Sequence, residues 1–138
     1  MRFQHETHET RVIFGAGRSL LERLAAIEVG RISKVRRHVP VEDAEVARRR
    51  ADELGASVLI AVGGGSAIGL AKAVALTSGP PIVAVPTTYS GSEMTPVWGL
   101  TEDGVKTTGR DRRVAPSVVV YDPELTILCL PRSRRAAA

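Results

Sequence analysis

The sequence predicts an α/β fold with a mostly parallel sheet, and three observations carry that prediction. Apolar runs at 58–62, 82–85 and 117–121 are nearly unbroken, as in strands covered on both faces. Segments with helical spacing stand before and between them. Each run also ends in glycine, proline or a hydroxyl-rich turn, the punctuation of a strand that leads into a loop.

Taken in order, Arg11-Val12-Ile13-Phe14 reads as a short strand closed by Gly15-Ala16-Gly17. Residues 19–27 then carry Leu20, Leu21, Leu24 and Ile27 at helical spacing, until Gly30 breaks the pattern. Residues 32–35 read as a weak strand before Pro40. From 41 to 54 the chain reads as a charged surface helix, with Val41, Ala44, Val46, Ala47, Ala51 and Leu54 roughly on one face and Gly55 as its stop. A buried strand at 58–62 meets Gly63-Gly64-Gly65-Ser66 and a helix that ends near Ser78-Gly79-Pro80. The next strand, 82–85, is stopped by Pro86 and a polar turn at 87–93. Residues 97–101 and 105–108 flank Glu102-Asp103-Gly104 and read as a hairpin. The last strand, 117–121, closes at Asp122-Pro123.

With 138 residues and 43% apolar content the chain can bury one ordinary core, expected over residues 1–126, with 127–138 as an irregular tail. The net charge of +4 is mild, and the arginines gather at 48–50, 110–113 and 132–135. No aromatic-studded strand or basic recognition helix accompanies them, so these read as solvated faces and not as a nucleic-acid surface. Cys129 is the single cysteine, and the N-terminus lacks a charged, then apolar, then cleavable signal; both features point to the cytoplasm. No apolar run approaches the roughly 20 residues that cross a bilayer, so no membrane partner is expected.

Gly63-Gly64-Gly65-Ser66 is the strongest chemical signal. A glycine-rich turn that leaves a buried strand and opens a helix aims backbone N–H groups and the positive end of the helix dipole at one point, where a phosphate can sit. Three glycines strip side chains from that approach, and Ser66 is expected to cap the helix and offer its hydroxyl. The turn is not a P-loop, since no Gly-Lys-Ser/Thr follows at the required spacing. Gly15-Ala16-Gly17 competes for the role, but Leu20 stands where a dinucleotide fingerprint wants its third glycine, and Arg36 and Arg37 stand where an acidic residue is wanted. Those arginines hint faintly at NADPH.

Pro86-Thr87-Thr88-Tyr89-Ser90-Gly91-Ser92-Glu93 crowds hydroxyls at a strand end, where they can bond a ribose or an amide. Lys72, about one and two-thirds turns beyond Ser66, faces away from a ligand at the helix start and reads as structural. His5 and His8 lie beside Glu6 and Glu9, an arrangement too weak to assign a metal. Ser90-Gly91-Ser92 is not a nucleophile elbow.

Together, residues 63–66 with Lys72, Pro86-Thr87-Thr88, Gly91-Ser92-Glu93 and Asp122-Pro123-Glu124-Leu125-Thr126 resemble the iron-containing alcohol dehydrogenase superfamily. Within it, the run from Val85 to Leu100, followed by Lys106, Thr108-Gly109-Arg110-Asp111 and residues 119–125, is similar to maleylacetate reductases. The resemblance implies a Rossmann-like domain for NADH or NADPH, with Gly63, Gly64, Gly65 and Ser66 at the pyrophosphate. It implies Thr87, Thr88 and Ser90 along the nicotinamide side and Lys106 at the nicotinamide ribose. The implied reaction is hydride transfer to the carbon–carbon double bond of maleylacetate, giving 3-oxoadipate in aromatic-compound breakdown.

Gly69 stands where many metal-dependent relatives carry aspartate, so no metal ligand is expected here. Between Ile27 and Pro40 only about a dozen residues replace the family's strand, helix and strand, and the family's helical domain is expected to be absent after Thr126. Catalysis by this chain alone is therefore not expected, because hydride transfer needs the acceptor held against the nicotinamide. Exposed apolar surface at the missing interface would favour a homo-oligomer.

Overall fold

The computed structural model of the protein describes residues 3–6, 11–14, 28 and 30–129. In chain order these form strands β1 (Phe3–Glu6) and β2 (Arg11–Phe14), helix α1 (Val41–Glu53), strand β3 (Leu59–Gly63), helix α2 (Gly65–Ser78), strands β4 (Ile82–Pro86), β5 (Val97–Glu102), β6 (Val105–Arg110) and β7 (Val118–Tyr121), and helix α3 (Pro123–Cys129). Short 3-10 turns occupy Ser92–Met94 and Arg112–Val114.

Five strands form one sheet in the order β1-β2-β7-β4-β3. Only the β1–β2 pair is antiparallel; β2–β7, β7–β4 and β4–β3 are parallel. The apolar runs predicted this, because strands flanked by crossovers lie between layers and keep both faces out of water. Hairpin β5–β6 stands apart from the sheet. Its turn places Asp103 at φ 48° and Gly104 at φ 78°, the left-handed pair that a two-residue hairpin loop requires.

α2 is the centre of the fold. Toward the sheet, Ile68 packs with Ala61, Ala84 and Val119. On its other side Leu70, Ala73 and Val74 meet Val39, Ala44 and Ala47, the latter two on α1. Small side chains at Ala44, Ala47 and Ala73 suit close approach of the two helices. A helix covered on both sides is expected to be apolar nearly all round, as α2 is apart from Lys72 and the polar residues at its ends. Arg48 extends this contact, its guanidinium donating to Ala73 O at 2.9 and 3.0 Å, so the 48–50 arginine run is not wholly a solvated face.

Several expectations change. β1 is paired, with His5 opposite Val12, although its Phe-Gln-His-Glu sequence lacks a strand's apolar alternation. Residues 32–35 form no strand; Arg31, Ile32, Ser33 and Lys34 are all exposed, and none of the described strands accepts them. Asp122-Pro123 stops β7 and also starts α3: Glu124 N donates to Asp122 Oδ1 at 3.0 Å, with proline at the first helical position. Residues 127–129, expected to be irregular, are therefore helical. The turn at 15–17, the helix at 19–27, His8 with Glu9, and the tail at 131–138 lie outside the described residues. Among those described, no helix is long and apolar enough to cross a membrane.

Candidate functional site

β3 and β4 end side by side, with Gly63 opposite Pro86, so the two loops that follow emerge together. Gly63 takes φ 151°, a conformation that residues with a side chain rarely adopt, and its carbonyl accepts from Thr87 N at 2.9 Å. That bond joins the glycine turn to the hydroxyl-rich loop. Gly64, extended at φ −85° and ψ −165°, is the N-cap, and the first intrahelical bond runs from Ile68 N to Gly64 O at 3.2 Å. The amides of Gly65, Ser66 and Ala67 thus have no acceptor within α2 and lie at its positive end.

Ser66 does not cap the helix as expected. A cap must stand before the first helical residue with non-helical torsions, and Gly64 holds that place; no side chain makes a cap bond there. Ser66 is instead the second helical residue, with its hydroxyl at the same end as the free amides.

The loop after β4 lies directly over the turn. A Cβ built on Gly64 would come within 2.8 Å of Thr88 Oγ1, and one on Gly65 within 3.2 Å of Ser90 Oγ. The glycines are thus needed for this close approach between two loops. Lys106 comes from β6, its Cε 3.1 Å from where a side chain on Gly99 would begin. Gly65, Ser66, Ser90 and Lys106 line one cleft of about 630 Å³ with Arg37, His38, Gly69, Trp98 and Thr108. Gly63, Gly64, Thr87 and Thr88 are not among its lining residues; they frame the turn beside it.

Beneath the cleft lies a buried polar cluster whose partners the sequence did not disclose. Lys72 is fully buried and donates to Thr95 O at 2.6 Å and Val97 O at 2.9 Å. Burial pushes its pKa down to about 8, partly offset by the nearby Glu93 carboxylate. Glu93, 2% exposed, accepts from Tyr121 OH at 3.1 Å and from Ser90 Oγ at 3.4 Å. Burial, with Glu93 adding to it, raises the Tyr121 phenol to about 12. One signal existed: Lys72 is the charged residue of an otherwise apolar helix buried on both sides, so its ammonium had to find acceptors inside.

His38 and Val39 adopt φ 64° and 49°, an uncommon conformation for residues with side chains and an outlier for a β-branched one. Thr101 holds them, its Oγ1 donating to His38 O at 2.8 Å and its N to Val39 O at 3.0 Å. Val39 presses on Gly69, where a Cβ would sit 2.9 Å from Val39 Cγ2. Among the described residues, no aspartate, glutamate or cysteine lines the cleft. No group of three histidine, cysteine, aspartate or glutamate side chains able to hold a metal occurs among the described residues.

Comparison with known proteins gives concordant matches. A sequence profile of the family described as iron-containing alcohol dehydrogenase matches residues 8–123. The maleylacetate reductase of Sphingobium indicum is 52% identical over 124 residues, covering 90% of this chain and 35% of that protein. The maleylacetate reductase of Pseudomonas sp. (strain P51) is 43% identical over 155 residues, covering 91% of this chain and 44% of that protein. That alignment is longer than the 138-residue chain, so the relative carries residues with no counterpart here. The crystal structure of maleylacetate reductase from Rhizobium sp. strain MTP-10005 superposes with a TM-score of 0.84 at 36% identity, covering 95% of this chain and 45% of that one. This chain therefore spans less than half the length of these relatives.

Proposed function

The chain belongs to the iron-containing alcohol dehydrogenase family, and on that premise we propose that it is the cofactor-holding part of a maleylacetate-reductase-type oxidoreductase that uses NADH or NADPH. The observation that carries this reading is the joined pair of loops: the three free amides at the start of α2, with Thr88 and Ser90 laid over Gly64 and Gly65. The residues fit the group. N–H donors without an acceptor in α2, a helix N-terminus and a cleft with no carboxylate among its described lining residues suit a doubly charged pyrophosphate.

In this reading Gly65 and Ser66 bind the pyrophosphate through backbone amides, with the Ser66 hydroxyl as a further donor. Gly63 and Gly64 shape the turn so that Thr87, Thr88 and Ser90 reach the nicotinamide side. Lys106 reaches the nicotinamide ribose from the hairpin. When bound, the cofactor would supply the hydride that, with a proton taken up from solvent at the other carbon, reduces the carbon–carbon double bond of maleylacetate to give 3-oxoadipate. The protein's part is to orient it: Glu93 fixes the Ser90 hydroxyl, and Lys72 fixes the backbone that follows.

Calorimetric titration with NADH and with NADPH tests the reading. Saturable binding of at least one is expected, and failure of both to bind at millimolar concentration overturns it. An alternative reading is a nucleotide-binding chain without turnover of its own. Cofactor binding with no NADH oxidation on adding maleylacetate selects it.

A further inference from the structure

We propose that Thr101 is a positioning residue for the bound cofactor: it fixes the turn at His38 and Val39 against the hairpin face that carries Lys106. The inference rests on the dinucleotide reading above and adds to it a residue that is not among those lining the cleft. It starts from backbone strain. His38 and Val39, consecutive residues with side chains and the second of them β-branched, hold φ at 64° and 49°. Such backbone persists only where its surroundings over-determine it, and it gathers at ligand sites.

The surroundings are specific. Thr101 Oγ1 donates to His38 O at 2.8 Å, Thr101 N donates to Val39 O at 3.0 Å, and a parallel bridge joins Thr101 to Pro40. On its other side Val39 is buried and seated against Gly69 of α2. The turn is therefore clamped between α2 and β5.

The hairpin carries this clamp to the ligand. Thr101 lies opposite Lys106 and Gly99 lies opposite Thr108, so these four positions share one face of the hairpin. Lys106 runs across Gly99, where a Cβ would meet its Cε at 3.1 Å. Gly99, Lys106 and Thr108 line one side of the cleft, and His38 and Val39 line another. Thr101 joins these two walls, and its hydroxyl sets their separation and with it the place from which Lys106 meets the cofactor.

Calorimetry of the whole chain with NADH and NADPH tests this for wild type, Thr101→Val, Thr101→Ser, Lys106→Met and the Thr101→Val, Lys106→Met double variant. Melting temperatures are taken without ligand. Valine keeps the branched shape and the backbone bonds and gives up only the hydroxyl. Thr101→Val is expected to weaken the tighter-bound cofactor by up to about tenfold, the upper size for one hydrogen bond. Thr101→Ser, which keeps the hydroxyl, is expected to restore most of that loss. In the Lys106→Met background Thr101→Val should change affinity by less than about twofold, because the lysine through which it acts is gone. Wild-type affinity in Thr101→Val or in Lys106→Met, no recovery in Thr101→Ser, or a full Thr101→Val effect without Lys106 would each overturn the proposal and leave the pyrophosphate cradle standing. If Thr101→Val does not melt cooperatively, Thr101→Ala is read by the same criteria; loss of cooperative melting in both overturns the proposal, since the hydroxyl then serves folding alone. Failure of wild type to bind either cofactor is the separate result that removes the reading beneath it.

Discussion

The ammonium of Lys72 lies 2.6 Å from the carbonyl oxygen of Thr95, which ties the middle of α2 to the segment that follows the loop over its own N-terminus. The same nitrogen holds Val97 O at 2.9 Å, so both sides of Pro96 are fixed to the helix. The helix that opens at the glycine turn and the segment that follows the hydroxyl-rich loop are thereby joined by two hydrogen bonds from one ammonium.

Replacing Lys72 with methionine removes the donor for two carbonyls and leaves the buried Glu93 without its nearby cation. The expected loss is about 3–5 kcal/mol, the range for breaking a buried charge interaction. Urea unfolding of wild type and Lys72→Met measures it. An unchanged midpoint would show that the buried ammonium contributes nothing.

The same residue predicts a pH dependence. Its pKa falls from 10.5 to about 8 on folding, so between those values the unfolded chain holds a proton that the folded chain has released. Stability therefore rises with pH from about 8 to 10.5. Tyr121 acts oppositely: its pKa rises from 10.0 to about 12, so between these the folded chain keeps a proton that the unfolded chain has lost, and stability falls. Thermal melts across this range should show the rise in wild type, its absence in Lys72→Met, and a weaker fall above pH 10 in Tyr121→Phe.

Gly63 and Gly64 should respond differently to alanine. At Gly63 the φ of 151° and a Cβ 2.8 Å from Ala67 Cβ both oppose a side chain. A cost of about 1–3 kcal/mol is expected there, as for residues held in disfavoured backbone regions. At Gly64 the obstacle is the exposed Thr88 hydroxyl, which can rotate away. Gly64→Ala should stay within about 1 kcal/mol of wild type yet bind NAD(P)H more weakly, because Thr88 is displaced. Melting temperatures and calorimetric affinities of the two variants check the contrast.

Gly69→Asp would introduce the residue that many metal-dependent relatives carry. Its Cβ would meet Val39 Cγ2 at 2.9 Å, and Val39 is a core residue held by Thr101. Overpacking of about 1–3 kcal/mol is expected. The new carboxylate at the cleft should also weaken dinucleotide binding, and a variant as stable and as tightly binding as wild type would contradict this packing.

The parallel core was legible because buried strands announce themselves by composition: the runs at 58–62 and 82–85 became β3 and β4 with one-residue shifts. The glycine turn was legible for the same local reason. The β1 pairing was not, since Phe3-Gln4-His5-Glu6 gains its place from a partner strand and not from its own pattern. Ser66, expected as the cap, stands two positions past it, a distinction set by the torsions of Gly64. Glu93 and Tyr121 are 28 residues apart, and only the β4–β7 pairing brings their segments together; local spacing carries no trace of such a contact. Arg36 and Arg37 look alike in sequence, and the position of Asp43 separates them.

The most direct test of the account is a map of backbone amide shifts of the isotopically labelled chain on titration with NADPH. The largest changes are predicted at Gly65, Ser66 and Ala67, with accompanying shifts at Thr88, Ser90 and Lys106. Saturable shifts confined to other parts of the chain, with these amides unmoved, would contradict the assignment of the glycine turn as the pyrophosphate cradle.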